Sequence, residues 1–352
     1  MIIDGRCRTY YRRSHRKADG RELLLFGYAP HQGEALAEFD TPVSTGSELR
    51  RHPLLDSWAI YSPHRQHRTF KPSAAADPLA PATPGGPPTE IPFEDFELAV
   101  FGNRFPSLHP DSPEPDVAPW STGRAAGACE VVVYAPDREG SLATLSQERR
   151  ILLIEAWIDR YAAHFEAGAA YVLPFENRGD AVGVTLAHPH GQLYAFPFVP
   201  KPQASAAAAF AQGYDLEDDR TSWGADFAIA EAGGVRAYAP PFGRFPYETW
   251  LSCERRVAGP WEMSGEEIEG LAELLGEMTR RYDALFDAPM PLMMNVQAAP
   301  REAAEGFQFT VQFFPIMRSA GRLKYLAGVE QSTNVFTVDI DPRAAAEALR
   351  TL

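Results

Sequence analysis

FENRGDAVGVTLAHPHGQLYAFPFVP, residues 175–200, sets the run His188-Pro189-His190-Gly191-Gln192 between two segments with the composition of strands. Residues 171–175 read as one strand, residues 177–179 as a turn, and the apolar and aromatic residues 193–198 as a second strand. The histidines therefore sit at a strand mouth. Pro189 fixes its own φ and restricts His188 to extended backbone, while Gly191 lets the chain come close to a ligand. Imidazole titrates near neutral pH and attacks phosphorus when one ring nitrogen is free and the other is held by a hydrogen bond. An amide such as Gln192 donates to a phosphoryl oxygen. This constellation predicts phosphoryl or nucleotidyl transfer, with His190 as covalent nucleophile, Gln192 beside it and His188 in support.

Upstream, residues 58–61 (Trp-Ala-Ile-Tyr) read as a strand that runs into Ser62-Pro63-His64-Arg65-Gln66-His67-Arg68. Arg65 and Arg68 are spaced so that two guanidinium groups can clamp a diphosphate; the other reading is a basic surface loop. Residues 73–92, rich in Ala, Pro and Gly, read as a linker, and residues 96–101 as a strand ending in Gly102-Asn103-Arg104-Phe105-Pro106. The polar stretch 107–128 reads as a surface loop, 129–134 as a β-branched strand, and 146–167 as a helix with Ile154, Trp157, Ile158, Tyr161 and Phe165 on one face. That aromatic face is core.

After Pro200 comes a polar, Ala-rich segment, and then the same order of elements returns. Residues 235–239 precede Phe242-Gly243-Arg244-Phe245-Pro246, which echoes the earlier Arg-Phe-Pro, and 247–253 read as the next strand. Ser264 and Glu267 form a capping box for a helix with Leu271, Leu274, Leu275, Met278, Tyr282 and Leu285 on one side, and strands follow at 292–297 and 307–314. Where the first half has His188 to Gln192, the second has Gly306-Phe307-Gln308-Phe309-Thr310, with no histidine. The pattern predicts a duplicated unit with one active half, divided into residues 1–205 and 206–352, and closed by a short helix capped by Asp341.

The whole chain, 352 residues with 45% hydrophobic and 23% charged, has the composition of a soluble globular protein of about two domains. A formal charge of −14 excludes a general nucleic-acid binder, because a phosphate-tracking surface needs a basic balance. Cys7, Cys129 and Cys253 are too few and scattered for a disulfide framework and have no zinc-ligand spacing, which points to the cytoplasm. No run is long enough to span a bilayer, and the basic residues at the amino terminus (among them Arg6, Arg12, Arg13, Lys17 and Arg21) lack the apolar core of a signal peptide. Residues 1–48 read as a solvated arm with one short strand at 23–28.

His188-Pro189-His190-Gly191-Gln192, preceded by Phe175-Glu176-Asn177-Arg178-Gly179, resembles the galactose-1-phosphate uridylyltransferases of the histidine triad superfamily. The resemblance runs from Ala18-Asp19-Gly20 to Leu323-Lys324-Tyr325-Leu326-Ala327-Gly328. It implies an α+β fold of two tandem histidine-triad-like repeats, antiparallel sheets forming an open half-barrel with helices packed on it, assembled as a homodimer. It implies transfer of UMP between UDP-glucose or a related nucleotide sugar and a hexose 1-phosphate, by a ping-pong mechanism through nucleotidyl-His190. Arg65 and Arg68 would bind the diphosphate, Asn103 the uridine, Asn177, Thr185 and Gly191 would lie at the phosphate, and Glu330 and Gln331 at the sugar hydroxyls. A nucleotide-sugar phosphorylase using inorganic phosphate, and a nucleotide-sugar binding protein without turnover, are the other readings.

The chain departs from the resembled family at its metals. The positions that match the zinc ligands of many members carry Asp77, Ala80, Arg138 and His188, and those of a second metal site fall near Ala206, Gln297, Thr310 and Gln312. Zinc needs three or four soft or borderline ligands in close geometry, so neither set predicts a metal, and no cofactor is expected. Asp77 and Arg138 are complementary in charge and are expected to pair in the vacated space.

Overall fold

The computed structural model describes residues 1–67, 72–73 and 76–352. Its strands, in chain order, are β1 (Ile2–Asp4), β2 (Thr9–Arg16), β3 (Glu22–Gly27), β4 (Glu48–His52), β5 (Ser57–Tyr61), β6 (Leu98–Gly102), β7 (Thr122–Arg124), β8 (Ala128–Val133), β9 (Tyr171–Arg178), β10 (His190–Phe196), β11 (Ala228–Ala232), β12 (Val235–Tyr238), β13 (Thr249–Cys253), β14 (Leu292–Gln297), β15 (Thr310–Pro315), β16 (Met317–Ser319) and β17 (Arg322–Leu323). The helices are α1 (Gln147–Glu166), α2 (Lys201–Ala211), α3 (Leu216–Trp223), α4 (Gly265–Leu285), α5 (Gly328–Thr333) and α6 (Pro342–Arg350).

Twelve strands form one sheet in the order β1-β2-β3-β6-β8-β10-β9-β14-β15-β13-β12-β11, and its ladders are antiparallel. The sheet is thus continuous across the middle of the chain: β9 pairs with β14, Phe175 opposite Asn295. Outward from that seam the order is β9-β10-β8-β6-β3 on one side and β14-β15-β13-β12-β11 on the other. On each side the chain supplies three strands, a long helix and two more strands. Residue 205 lies inside α2.

Alternation along each strand sends one set of side chains to the helices and the other to the opposite face. Leu193 and Ala195 of β10, and Val311 and Phe313 of β15, enter the main core with Ile151, Ile154 and Trp157 of α1 and Leu271, Leu275 and Met278 of α4. His190 and Gln192, and Thr310 and Gln312, take the other face. Both helices begin where an oxygen side chain satisfies a free N–H: Ser146 accepts from Arg149 N, and Ser264 and Glu267 exchange bonds as a capping box.

Two expectations are overturned. Residues 1–16 are not a solvated arm, because β1 and β2 extend the sheet beyond β3. Their neighbouring basic groups are internally paired: Lys17 and Arg21 are buried against Glu90, Arg21 also meets Asp19, and Arg12 meets Asp159. Charge alone cannot tell a solvated face from one neutralised by carboxylates distant in sequence. The stretch 107–128 is also not all loop, since β7 pairs with β4 in a three-stranded sheet with β5.

Candidate active site

His190 is the first residue of β10, opposite Val133 of β8. Its Nδ1 donates to the His188 carbonyl at 2.7 Å. Pro189 between them makes this contact rigid, and Nε2 is left without a partner among the described residues. Burial moves the His190 ring below its ordinary pKa, against the His188 carbonyl, which favours the protonated form. A neutral ring with its tautomer fixed at Nδ1 carries its lone pair on Nε2, the form that attacks phosphorus.

Gly191 follows because nothing larger fits. A Cβ there would stand 2.5 Å from the Tyr134 hydroxyl and 3.1 Å from the Phe175 carbonyl. That hydroxyl donates to Glu176 Oε2 at 2.9 Å, and both side chains are buried. Burial raises the Glu176 carboxyl from 4.5 to about 7, although the Tyr134 hydroxyl and the Arg178 charge both lower it. Tyr134 and Glu176 form the wall behind His190.

The His190 ring opens on a cavity of about 590 Å³, whose lining includes Arg65, Asn103, Asn177, Thr185 and Gln192. The side chains of Asn177, Thr185 and Gln192 make no hydrogen bond to a described residue and so have their polar atoms available. Arg65, on the turn of 3-10 helix Pro63–His67, donates to the Phe105 carbonyl, and Asn103 Oδ1 accepts from Phe105 N at 2.8 Å. Together they fix the 103–105 turn at the cavity rim. Arg68 lies outside the described residues. Glu330 and Gln331 do not line this cavity: Glu330 is buried in the first turn of α5, accepting from Ala327 N, Thr337 Oγ1 and Lys324 Nζ, and Gln331 is exposed beside it.

Sequence reading passed over three residues of the site. Arg104 lines the cavity with its guanidinium over the Phe39 ring, 3.9 Å from the centroid. Its place in the Asn-Arg-Phe-Pro turn was a usable signal. Tyr134 and Glu176 gave none, because their roles depend on β8, β9 and β10 being adjacent.

His188 is 1% exposed, with Nε2 donating to the Ala135 carbonyl at 2.8 Å and Nδ1 to Asp77 Oδ2 at 3.0 Å. Arg138 Nε stands 3.8 Å from the same carboxylate oxygen. Burial raises the Asp77 pKa, but the His188 hydrogen bond, the Leu79 N–H and the nearby cations outweigh it and hold the carboxyl below its usual range. Both His188 nitrogens already meet oxygens, and an arginine beside them repels a cation. These residues do not fit zinc. The second set, Ala206, Gln297, Thr310 and Gln312, comes together around a separate cavity, but amides, a hydroxyl and a methyl do not fit a transition metal either. No group of three or more His, Cys, Asp or Glu among the described residues is placed to hold a metal ion.

Residues 38–200 match the family model for galactose-1-phosphate uridyl transferase, N-terminal domain. The galactose-1-phosphate uridylyltransferase of Thermotoga maritima is 36% identical over 316 residues, covering 86% of this chain and 98% of that protein. The Streptomyces lividans enzyme of the same name is 30% identical over 363 residues, covering 96% of each. A solved uridylyltransferase structure superposes with a TM-score of 0.76 at 26% identity, over 86% of this chain and 97% of that one. With His190, Gln192 and the cavity they face, this extent of similarity has one reading: the chain belongs to the galactose-1-phosphate uridylyltransferase family.

Proposed function

We propose that the protein transfers UMP between a nucleotide sugar and a hexose 1-phosphate, with His190 as the covalent carrier. The observation that carries this reading is the His190 ring, tied at Nδ1 to the His188 carbonyl and with Nε2 unpartnered in the cavity wall. Nε2 attacks the α-phosphorus of the nucleotide sugar; the N–P bond forms, the bond from phosphorus to the bridging oxygen breaks, and sugar 1-phosphate leaves with that oxygen. A phosphate oxygen of a second sugar 1-phosphate then attacks the same phosphorus and His190 departs with its ring neutral. The Gln192 amide and Thr185 hydroxyl donate to the non-bridging oxygens, where charge grows in the transition state, and Asn177 orients them. Arg65, Arg104 and Asn103 form the nucleotide end of the cavity, and the role given to Arg68 is binding of the diphosphate.

The matching order of strands on either side of the β9–β14 seam supports descent of both halves, residues 1–205 and 206–352, from one histidine-triad-like unit, each curved as a half-barrel. Homodimeric assembly is part of the same reading. Incubation with UDP-glucose labelled in the uridine should leave acid-labile, base-stable label on the parent protein and none on His190→Ala. Equal labelling of both defeats the nucleophile assignment. A panel of UDP-, ADP-, GDP- and TDP-sugars, with hexose 1-phosphates and inorganic phosphate as acceptors, identifies the second substrate.

A further inference from the structure

A second cavity, of about 410 Å³, lies in the C-terminal half. Its place follows from the ladders. Gln192 pairs with Phe175, Phe175 with Asn295, and Asn295 with Gln312, so Gln192 and Gln312 stand in one row across the seam. Arg244, from the second Arg-Phe-Pro turn, lines this cavity as Arg104 lines the first. The second cavity shares with the first an arginine of this kind and a row of polar strand residues, but no histidine lines it.

Its walls are built for a ligand. Gln308 is 3% exposed and donates from Nε2 to the Cys253 and Arg255 carbonyls at 3.3 and 3.4 Å, yet its buried Oε1 accepts from no described residue. A buried amide oxygen without a donor is unfavourable, and a ligand N–H or O–H would satisfy it. Gln312 donates to Thr310 Oγ1 at 3.0 Å, and its Oε1 accepts from no described residue. Phe210 and Phe307, with centroids 4.9 Å apart, form one aromatic wall, and Phe242 against Trp250 at 5.4 Å forms another. Arg244 lies over the Phe314 and Phe336 rings and pairs with no carboxylate among the described residues. Glu248 also borders the cavity, but its oxygens already accept from Arg244 N, Phe245 N and Trp250 Nε1. The volume is within the ~300–1,000 Å³ of small-molecule sites.

We infer that this cavity is a second, non-catalytic site for a nucleoside monophosphate. The base lies between the aromatic walls, a base N–H and a ribose hydroxyl donate to Gln308 Oε1 and Gln312 Oε1, and the phosphate meets Arg244. The ligand class rests partly on the uridylyl reading of the first cavity, so the test must separate the two.

Titration calorimetry with UMP, and in parallel with AMP, counts sites per chain in the parent, in Ala209→Trp and in Gln308→Leu. Ala209 is exposed at the cavity edge, so an indole there fills the space without entering the core, whereas Gln308→Leu removes the free acceptor directly. The expected result is two sites in the parent and one in each variant, with uridylyl exchange unchanged in Ala209→Trp. One site in both parent and Ala209→Trp overturns the inference and leaves the catalytic cavity intact. One site in the parent and none in Ala209→Trp upholds the second site while removing the nucleotide reading of the first. Two sites that persist in Ala209→Trp overturn the placement, even if Gln308→Leu does not fold.

Discussion

Glu176→Gln should change how stability depends on pH, by an amount the wall behind His190 sets. The carboxyl is buried against the Tyr134 hydroxyl, and burial raises it from 4.5 to about 7. In the unfolded chain it loses its proton near 4.5, and in the folded protein only near 7. Between those values the native state holds the extra proton, so stability falls as pH rises through the window and levels off above it. Each tenfold difference in proton affinity is about 1.4 kcal/mol, so the full loss is roughly 3 kcal/mol. Glutamine keeps an acceptor for Tyr134 and has no charge to bury. Urea denaturation of both proteins at pH 4.5, 6 and 8 should show the stability of Glu176→Gln relative to the parent rising by roughly 3 kcal/mol over that range. Other ionisable groups are common to both proteins and cancel in the difference. A difference that stays constant with pH would falsify the assignment of a protonated Glu176.

His190→Ala should abolish exchange of label between UDP-glucose and sugar 1-phosphate while leaving the melting temperature near that of the parent; measurable exchange would remove His190 from the mechanism. Gly191→Ala drives a methyl into the Tyr134 hydroxyl at 2.5 Å and should cost about 1–3 kcal/mol in a denaturant titration, together with most of the activity; a variant as stable as the parent shows that the strand moves freely there. Asp77→Ala leaves the buried His188 Nδ1 donor without its acceptor and should destabilise by about 1–3 kcal/mol, with Asp77→Asn recovering part of the loss; equal stability of Asp77→Ala and the parent argues against the pair. Protein purified without chelator or metal-binding tag should contain no stoichiometric zinc or iron by elemental analysis and should melt unchanged in EDTA; bound metal lost with stability on chelation means other ligands serve.

The site was legible where chemistry is local in sequence. Histidine, proline, histidine, glycine and glutamine in succession define a ring, its backbone acceptor and its neighbouring donor, and the strand that starts at His190 puts 190 and 192 on one face. The capping box at Ser264 and Glu267 and the cap at Asp341 were legible for the same reason. What sequence did not reveal depends on pairing between distant strands. The basic residues near the amino terminus looked like a solvated arm because Glu90 and Asp159, which neutralise them, lie far along the chain. α2 and α3 were read only as a polar, Ala-rich segment, since α2 buries little besides Ala207 and has no apolar stripe to give a period. The partnership of Tyr134 with Glu176 needs β8 and β9 on either side of β10.

The hydrogen bonds around His188 show how the geometry at His190 is held by side chains and backbone. In the proposed reaction the feature that matters is the His188 carbonyl, which holds Nδ1 of His190, and a carbonyl is positioned by whatever fixes its residue. Pro189 does so covalently, while Asp77 Oδ2 and the Ala135 carbonyl hold the His188 ring from two sides. Arg138 supplies positive charge next to Asp77, so the carboxylate is compensated within a largely buried cluster instead of by an ion. Exchanging coordination bonds for hydrogen bonds makes the support dependent on Asp77 being ionised, and its lowered pKa keeps it so at neutral pH. The contribution of this pair is fully present above the ordinary pKa of a free aspartate and is lost as pH falls through the lower folded value. Support of this kind should therefore fail in acid, where Asp77 takes up a proton, and should be insensitive to chelators at neutral pH.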